Sequence, residues 1–374
     1  MKKVLFLPFL QIQTGHHHVA QALTKIIQQM DRTIHCTTRE ILSNRFGHLE
    51  GIVSKTYLKW IHHFPDSYNW VYHKMVYNND KDSRYLMYEI LFQNKMKSII
   101  KEEQPDLIVC THGLPSYILS QLKAQGEISI PIVNVYTDFF VHKLWGTRHI
   151  EYHFVSTIRM KEYLIKKQVD PNRIYVTGIP IHPDIKPNKS MKMIKDEINV
   201  LVAGGSLGVG FCESIINDLK DDSVNYYFLC GKNSKLFEQI KQMNQRNLIP
   251  LPYIDSKKDI NDLYDHVDAV VTKPGGVTMS ECLRKHKPVF VFDALPGQEQ
   301  INLEELNRLG VIIYSKRWKH SRLFESDLLS SLRDEHLMQK LKFNIQNYNN
   351  HLKHNLIDSL FKIISNEKLQ KVQN

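Results

Sequence analysis

The pattern that most constrains this chain runs through it twice. Short apolar runs alternate with helical stretches, pause at a polar segment around Pro183 and Pro187, and then begin again. Apolar runs too short for helices, each followed by a helix-length stretch, mark βαβ units and a parallel sheet buried on both faces. In the first half the predicted strands cover 4–10, 107–111, 132–136, 152–155 and 174–177, with helices over 17–30, 85–103, 116–125 and 159–167. In the second half they cover 198–203, 226–230, 269–272, 288–292 and 311–314, with helices over 210–219, 236–245, 278–285 and 299–309. A length of 374 residues also exceeds one ordinary core. The expected class is α/β, as two Rossmann-like, doubly wound domains facing a cleft. The first spans 1–183, a linker 184–196 and the second 197–350, with a helix in 351–374 packing back on the first.

Composition then removes several classes of function. Hydrophobic residues make up 42% and charged residues 24%, an ordinary globular balance. No apolar run approaches the roughly 20 residues of a membrane-spanning helix. The run after Lys2 and Lys3 stops at Gln11 without a small-residue cleavage site, so it reads as a buried strand and not a signal peptide. Cys36, Cys110, Cys212, Cys230 and Cys282 form no Cys-x-x-Cys pair, which points to reduced thiols and no structural zinc. A cytoplasmic protein is expected.

Charge is uneven along the chain. Residues 1–190 carry 24 Lys and Arg against 16 Asp and Glu, a balance of +8, while 191–374 carry 25 against 23, a balance of +2. A basic first half suits an anionic membrane, an acidic substrate or nucleic acid, and charge alone does not rank them. Between Tyr57 and Tyr77, Trp60, Phe64, Tyr68, Trp70 and Tyr72 interleave with Lys59, His62, His63, His73 and Lys74. That mixture fits the headgroup region of a bilayer, or equally a pair of core helices with half-exposed aromatics.

Three glycine-containing turns sit between a predicted strand and a helix. In the first, Gln13-Thr14-Gly15-His16-His17-His18, Gly15 permits a sharp turn and His16 falls at the helix start. An imidazole with a pKa near neutrality suits general-base work on a hydroxyl there; the competing reading is a solvated helix end. His16 and His18 do not share a helical face, which argues against a preformed metal pair. The second turn, Gly204-Gly205-Ser206-Leu207-Gly208-Val209-Gly210, brings backbone N–H groups near a helix start, where a phosphate binds readily, but lacks the Gly-Lys-Ser/Thr of a P-loop. The third is Lys273-Pro274-Gly275-Gly276-Val277-Thr278, whose amides suit a diphosphate. Glu281 follows on the next turn, as a ligand for vicinal ribose hydroxyls or as an acid complementing the helix dipole. Gly297, Gln298, Glu299 and Asn302 gather amides and a carboxylate at another helix start, as a sugar requires. The one Asp-x-Asp triplet, Asp80-Lys81-Asp82, is poorly placed for a divalent cation. Helix N-termini are then expected to stabilise a leaving diphosphate without metal.

With these turns in place the chain resembles the monogalactosyldiacylglycerol-synthase-like glycosyltransferases of family 28, and among them the bacterial processive diacylglycerol glucosyltransferases. The matching residues run in order: Gly15-His16, Thr137-Asp138-Phe139 with His142 and Trp145, Thr177-Gly178-Ile179-Pro180-Ile181, Cys230-Gly231-Lys232-Asn233, Lys273-Pro274-Gly275-Gly276 and Pro296-Gly297-Gln298-Glu299. More distantly, the chain resembles the transferase that adds N-acetylglucosamine to the lipid-linked cell-wall precursor. The resemblance implies a GT-B fold, an inverting mechanism, a UDP-sugar donor on the second domain and a lipid acceptor against a first domain that docks on the inner face of an anionic membrane. It implies His16 as catalytic base. It places Gly15, Gly205, Ser206, Gly231, Lys273, Gly275, Gly276, Val277, Thr278, Glu281, Gly297, Gln298, Glu299 and Asn302 on the donor side. Asp138, His142 and Trp145 fall on the acceptor side. No cofactor, metal or nucleic acid is expected. Two positions depart from the family pattern: Gln13 replaces a frequent glycine, and Gly205-Ser206-Leu207-Gly208 replaces the usual Gly-Ala-His-Gly. The alternatives are transfer to a polyprenyl-linked or small-molecule acceptor, a UDP-sugar 2-epimerase on the same architecture, and a nucleic-acid binder resting on a pI near 9.1 alone.

Overall fold

Every residue of Leu107–Cys110 and Ile132–Val135 is buried, as expected for largely apolar strands inside a parallel sheet. A computed structural model of the chain describes residues 2–9, 14–41, 85–188, 191, 197–204, 215–320 and 323–372. It divides into two units, Met1–His182 with His351–Asn374, and Pro183–Asn350.

In the first unit β1 (Lys3–Leu7), β2 (His35–Thr38), β3 (Leu107–Cys110), β4 (Ile132–Val135), β5 (Tyr152–Val155) and β6 (Ile174–Val176) form one parallel sheet in the order β2-β1-β3-β4-β5-β6. Helices α1 (Gly15–Met30), α2 (Leu86–Glu103), α3 (Gly113–Ala124) and α4 (Ile158–Lys166) connect them. Val4 lies opposite Cys36 on one side and Leu107 on the other, so the chain reverses its direction of travel across the sheet between β1 and β3. Such a switch point is where ligands bind in sheets of this kind. Leu5, Leu7, Met96, Ile108 and Ile118 centre its core.

The second unit repeats the plan. Its strands β7 (Ile198–Ala203), β8 (Val224–Leu229), β9 (Leu248–Leu251), β10 (Ala269–Thr272), β11 (Val289–Val291) and β12 (Ile313–Tyr314) take the order β12-β11-β10-β7-β8-β9. That is the doubly wound order of nucleotide-binding sheets, with its switch point between β7 and β10. Helices α5 (Ser234–Gln242), α6 (Lys257–His266), α7 (Gly276–Arg284), α8 (Gln298–Leu309), α9 (Phe324–Arg333) and α10 (Glu335–Asn350) complete it around Val202, Phe228, Phe290 and Phe324. The last helix, α11 (Leu356–Val372), returns to the first unit, where it touches α1, and the Lys2 ammonium donates to the Ile364 carbonyl.

Three elements go beyond the sequence expectation. β2 reads His-Cys-Thr-Thr and is a sheet edge, which needs no apolar run. β9 contains Pro250, tolerated because it too is an edge. α6 buries only Asn261 and Tyr264, too little to stand out as an apolar stripe. The aromatic stretch over 57–77, the triplet at 80–82 and the first half of the helix expected over 210–219 lie outside the described residues. Of that last helix, Ile216–Asp218 is a single 3₁₀ turn.

Candidate functional site

At the first switch point the ends of three strands converge on His16, in the first turn of α1. Its Nδ1 lies 2.8 Å from the Thr111 carbonyl oxygen, just past β3, and 2.9 Å from the Thr137 hydroxyl, just past β4. A carbonyl only accepts, so Nδ1 carries the proton and Nε2 is the basic nitrogen. Burial holds the pKa of His16 below its ordinary value, while the Asp138 carboxylate and the Thr111 carbonyl oppose that shift. The imidazole is thus neutral at rest, and a carboxylate stands by to support the cation formed when it takes a proton.

The loop after β4 brings Asp138, His142 and Trp145 to the same end of the unit. It is pinned by Gly146, whose N–H donates to the Ser116 hydroxyl at 3.1 Å and whose carbonyl accepts from Asn134 at 2.7 Å. His142 Nδ1 accepts from the Leu144 N–H at 3.0 Å, and burial, helped by neighbouring Lys143, pushes its pKa down to about 4. Trp145 is 8% exposed and packs on Tyr136 at 4.5 Å between ring centroids, so most of its surface serves the core. Asp138 is half-buried, and its carbonyl accepts from Ser156.

In the second unit the Lys-Pro-Gly-Gly turn directly follows β10. The Gly275 N–H is spent on the Lys273 carbonyl at 2.8 Å, and Gly275 then caps α7 without a side chain. The first turn of α7 carries no acid, so the amides of Gly276, Val277 and Thr278 meet no side-chain acceptor from the cap or the helix itself. A Cβ built on Gly275 meets no atom within 4 Å, so nothing in the unit itself requires glycine there. Lys273 is half-buried beside the turn. Glu281 is 6% exposed and accepts from the Tyr264 hydroxyl at 2.9 Å. Burial raises its pKa, against the pull of Lys257 and of that hydrogen bond.

Gly231, in the left-handed region at φ 58°, ends β8, the neighbour of β7. Gly297 has φ 91° and ψ −119°, a conformation glycine adopts at little cost. Gln298 is exposed, whereas the Glu299 carboxylate accepts from the Leu295 N–H at 2.7 Å and so holds its own turn. Asn302, one turn further along α8, is only 1% exposed. Gly205 and Ser206 lie outside the described residues. Among the described residues no group of three or more His, Cys, Asp or Glu could hold a metal ion, and no helix is long and apolar enough to cross a membrane.

Four partners in these arrangements escaped the sequence reading as site residues: the Thr111 carbonyl, the Thr137 hydroxyl, His112 and Tyr264. The first three stand immediately after a strand's carboxyl end, and that position alone would have drawn attention to them.

A family model described as monogalactosyldiacylglycerol (MGDG) synthase matches residues 16–181. The uncharacterized glycosyltransferase YkoN of Bacillus subtilis is 38% identical over 351 residues, 93% of each chain. A processive diacylglycerol beta-glucosyltransferase of the same organism is 28% identical over 346 residues, 89% of this chain and 87% of that one. Among solved structures, MurG of Acinetobacter baumannii aligns with a TM-score of 0.59 at 16% identity, covering 97% of this chain and 100% of that one. At that identity the likeness speaks for the fold alone, which is GT-B. Its sequence relatives place the chain in a family: it belongs to the monogalactosyldiacylglycerol-synthase-like glycosyltransferases, enzymes of sugar transfer.

Proposed function

We propose that this enzyme moves a hexose from a UDP-sugar, UDP-glucose first among them, to a hydroxyl of a lipid acceptor such as diacylglycerol or a glycosyl-diacylglycerol. Transfer proceeds with inversion and without a metal ion. The observation that carries the reading is His16, whose proton is held on Nδ1 by the Thr111 carbonyl, leaving Nε2 as a base at the first switch point. The diacylglycerol and the glucose are suggested by the name of a relative. So is inversion, since a β-glucoside is opposite in configuration to the α-linked glucose of UDP-glucose.

In this mechanism His16 Nε2 takes the acceptor's hydroxyl proton as that oxygen bonds to the anomeric carbon. The bond from that carbon to the diphosphate breaks, and UDP leaves with the electron pair. The Thr111 carbonyl and Asp138 support the imidazolium. The amides of Gly276, Val277 and Thr278, with Lys273, take up charge on the diphosphate, which is the work a metal ion does elsewhere. Glu281, steadied by Tyr264, accepts from the ribose hydroxyls. Gln298 lies exposed for a sugar hydroxyl. The enzyme sits peripherally on the inner face of the membrane, drawn by the +8 balance of residues 1–190 to anionic lipid.

The test is UDP release from UDP-glucose, UDP-galactose and UDP-N-acetylglucosamine, with and without dioleoylglycerol vesicles and with and without EDTA. Products are read by mass spectrometry and their anomeric configuration by NMR. A β-hexosyl lipid formed equally well in EDTA is expected. An α-linked product removes inversion, loss of activity in EDTA removes metal independence, and a C2 epimer formed without acceptor replaces the reading by epimerisation.

A further inference from the structure

Next to His16 stands a second imidazole to which nothing above gives a role. The His112 ring lies edge-on to His16, 4.7 Å between centroids at 78°, and its other face stacks on Phe9 at 4.8 Å. As the N-cap of α3, His112 accepts the Leu114 N–H at Nδ1, 3.1 Å away. That bond settles the tautomer: with a backbone N–H pointing at Nδ1, the ring's proton sits on Nε2. Among the described residues Nε2 has no hydrogen-bond partner, and the residue is half-buried, edge-on to His16. His142 is set the same way by Leu144. The neighbouring imidazoles therefore differ in kind. His16 presents a lone pair, and His112 presents a proton.

We propose that His112 is a binding residue of the acceptor site, donating its Nε2–H to a second oxygen of the acceptor while His16 Nε2 receives the proton of the reacting hydroxyl. This rests on the reading of His16 as the base and sharpens the acceptor class. The fitting acceptor is an alcohol with another oxygen two or three bonds from the reacting one, as in a 1,2-diacylglycerol ester or a vicinal diol on a sugar. A plain long-chain alcohol satisfies His16 and leaves His112 unpaired. Burial, together with the nearby imidazoles of His16, His142 and His17, holds the pKa of His112 far below its ordinary value. Its donor form therefore persists across the neutral range.

Capping and donation can be separated by isosteres. In His112→Asn the amide oxygen replaces Nδ1 as the cap, and asparagine is a favoured N-cap, but the Nε2–H is gone. In His112→Gln an N–H returns near the Nε2 position while the cap is lost. The full-length enzyme is assayed with UDP-glucose on dioleoylglycerol and on oleyl alcohol in the same mixed micelles, with melting temperatures recorded. For His112→Asn, kcat/KM on dioleoylglycerol is expected to fall roughly 5- to 100-fold, the cost of an unpaired hydrogen bond, and to fall several-fold less on oleyl alcohol. His112→Gln is expected to recover most of that loss on dioleoylglycerol despite a lower melting temperature. His16→Ala lowers transfer to both acceptors by roughly 10²–10⁴. Asn outperforming Gln, or an equal loss on both acceptors, assigns His112 to capping alone and overturns the proposal, with the role of His16 intact. A wild-type enzyme that glycosylates neither acceptor overturns the lipid reading and this proposal together.

Discussion

Replacing Gly275 by alanine separates what the fold needs from what the ligand needs. Gly275 has φ −76° and ψ 136°, values open to alanine, and the added methyl meets no atom within 4 Å. Two opposed terms act on stability. Fewer unfolded conformations favour the variant by about 0.4–1 kcal/mol. Glycine caps a helix better than alanine does, which disfavours it by roughly 0.5–1.5 kcal/mol. The net effect lies within about 1 kcal/mol, or roughly 2–4 °C in Tm for a unit of this size. Ligand binding has no such cancellation. Diphosphate oxygens must come within about 2.9 Å of the α7 amides to bond them, and the methyl stands in the space they approach through. Losing one charge-assisted hydrogen bond costs about 1.5–3 kcal/mol, a drop in UDP affinity of roughly 10- to 150-fold. Calorimetric titration of UDP and a thermal melt on the same preparation read both quantities. UDP affinity within about two-fold of wild type, at unchanged Tm, removes the diphosphate from this turn. A fall in Tm far beyond the cancellation limit shows instead that the space around Gly275 is not open.

The other predictions concern the two chemical ends of the reaction. His16→Ala should lower transfer by roughly 10²–10⁴ and leave UDP affinity nearly unchanged, because the base touches only the acceptor; normal turnover takes His16 out of the mechanism. Because burial lowers the pKa of His16, the acid limb of kcat/KM should lie below pH 6.5, the ordinary histidine value. Asp138 raises that pKa, so Asp138→Asn should move the limb to still lower pH while lowering the plateau, and a shift towards higher pH contradicts the assignment. Glu281→Gln should weaken UDP binding roughly 5- to 100-fold and leave the affinity for inorganic diphosphate alone, whereas equal losses on both would move Glu281 off the ribose.

What the sequence made legible, and what it hid, follows from how each feature is encoded. β3, β4, β7 and β10 were visible because a strand covered on both faces is apolar at nearly every position, Asn134, Asn199 and Thr272 being the exceptions. The edges β2 and β9 carry Thr37, Thr38 and Pro250 without penalty, so β2 has no apolar run and that of β9 is broken by proline. The glycine turns were readable for a similar reason, since backbone that bends sharply or admits a ligand writes Gly275, Gly276 and Gly297 into the chain. Contacts made through main-chain atoms leave no such mark. The Thr111 carbonyl sets the tautomer of His16, yet any residue there supplies a carbonyl. Tyr264 looked like an ordinary core aromatic until the fold brought its hydroxyl to Glu281. Asn302 and Glu299 carry structure that helical spacing did not show: the first is buried in the unit, and the second accepts from the Leu295 amide.

The hydrogen-bond polarity of the first switch point also predicts what the enzyme refuses. His16 offers one lone pair, while His112, with Nδ1 occupied by a backbone N–H, offers the proton on Nε2. An alcohol with neighbouring ester oxygens matches that set: one proton to give and lone pairs to accept. A long-chain primary amine is protonated at neutral pH and presents only N–H donors and a positive charge. It meets the His112 Nε2–H with no acceptor of its own, and Lys143, beside His142, adds like charge. The His16 lone pair serves only one of its N–H donors, and desolvating the ammonium with the others and the His112 proton unpaired costs more than the loss of one neutral hydrogen bond. Oleylamine should therefore be neither glycosylated nor an effective competitor against dioleoylglycerol, although its chain matches oleyl alcohol. Competitive inhibition by oleylamine as strong as that by oleyl alcohol would show that the imidazole proton does not face the acceptor's head, and that chain length alone governs binding.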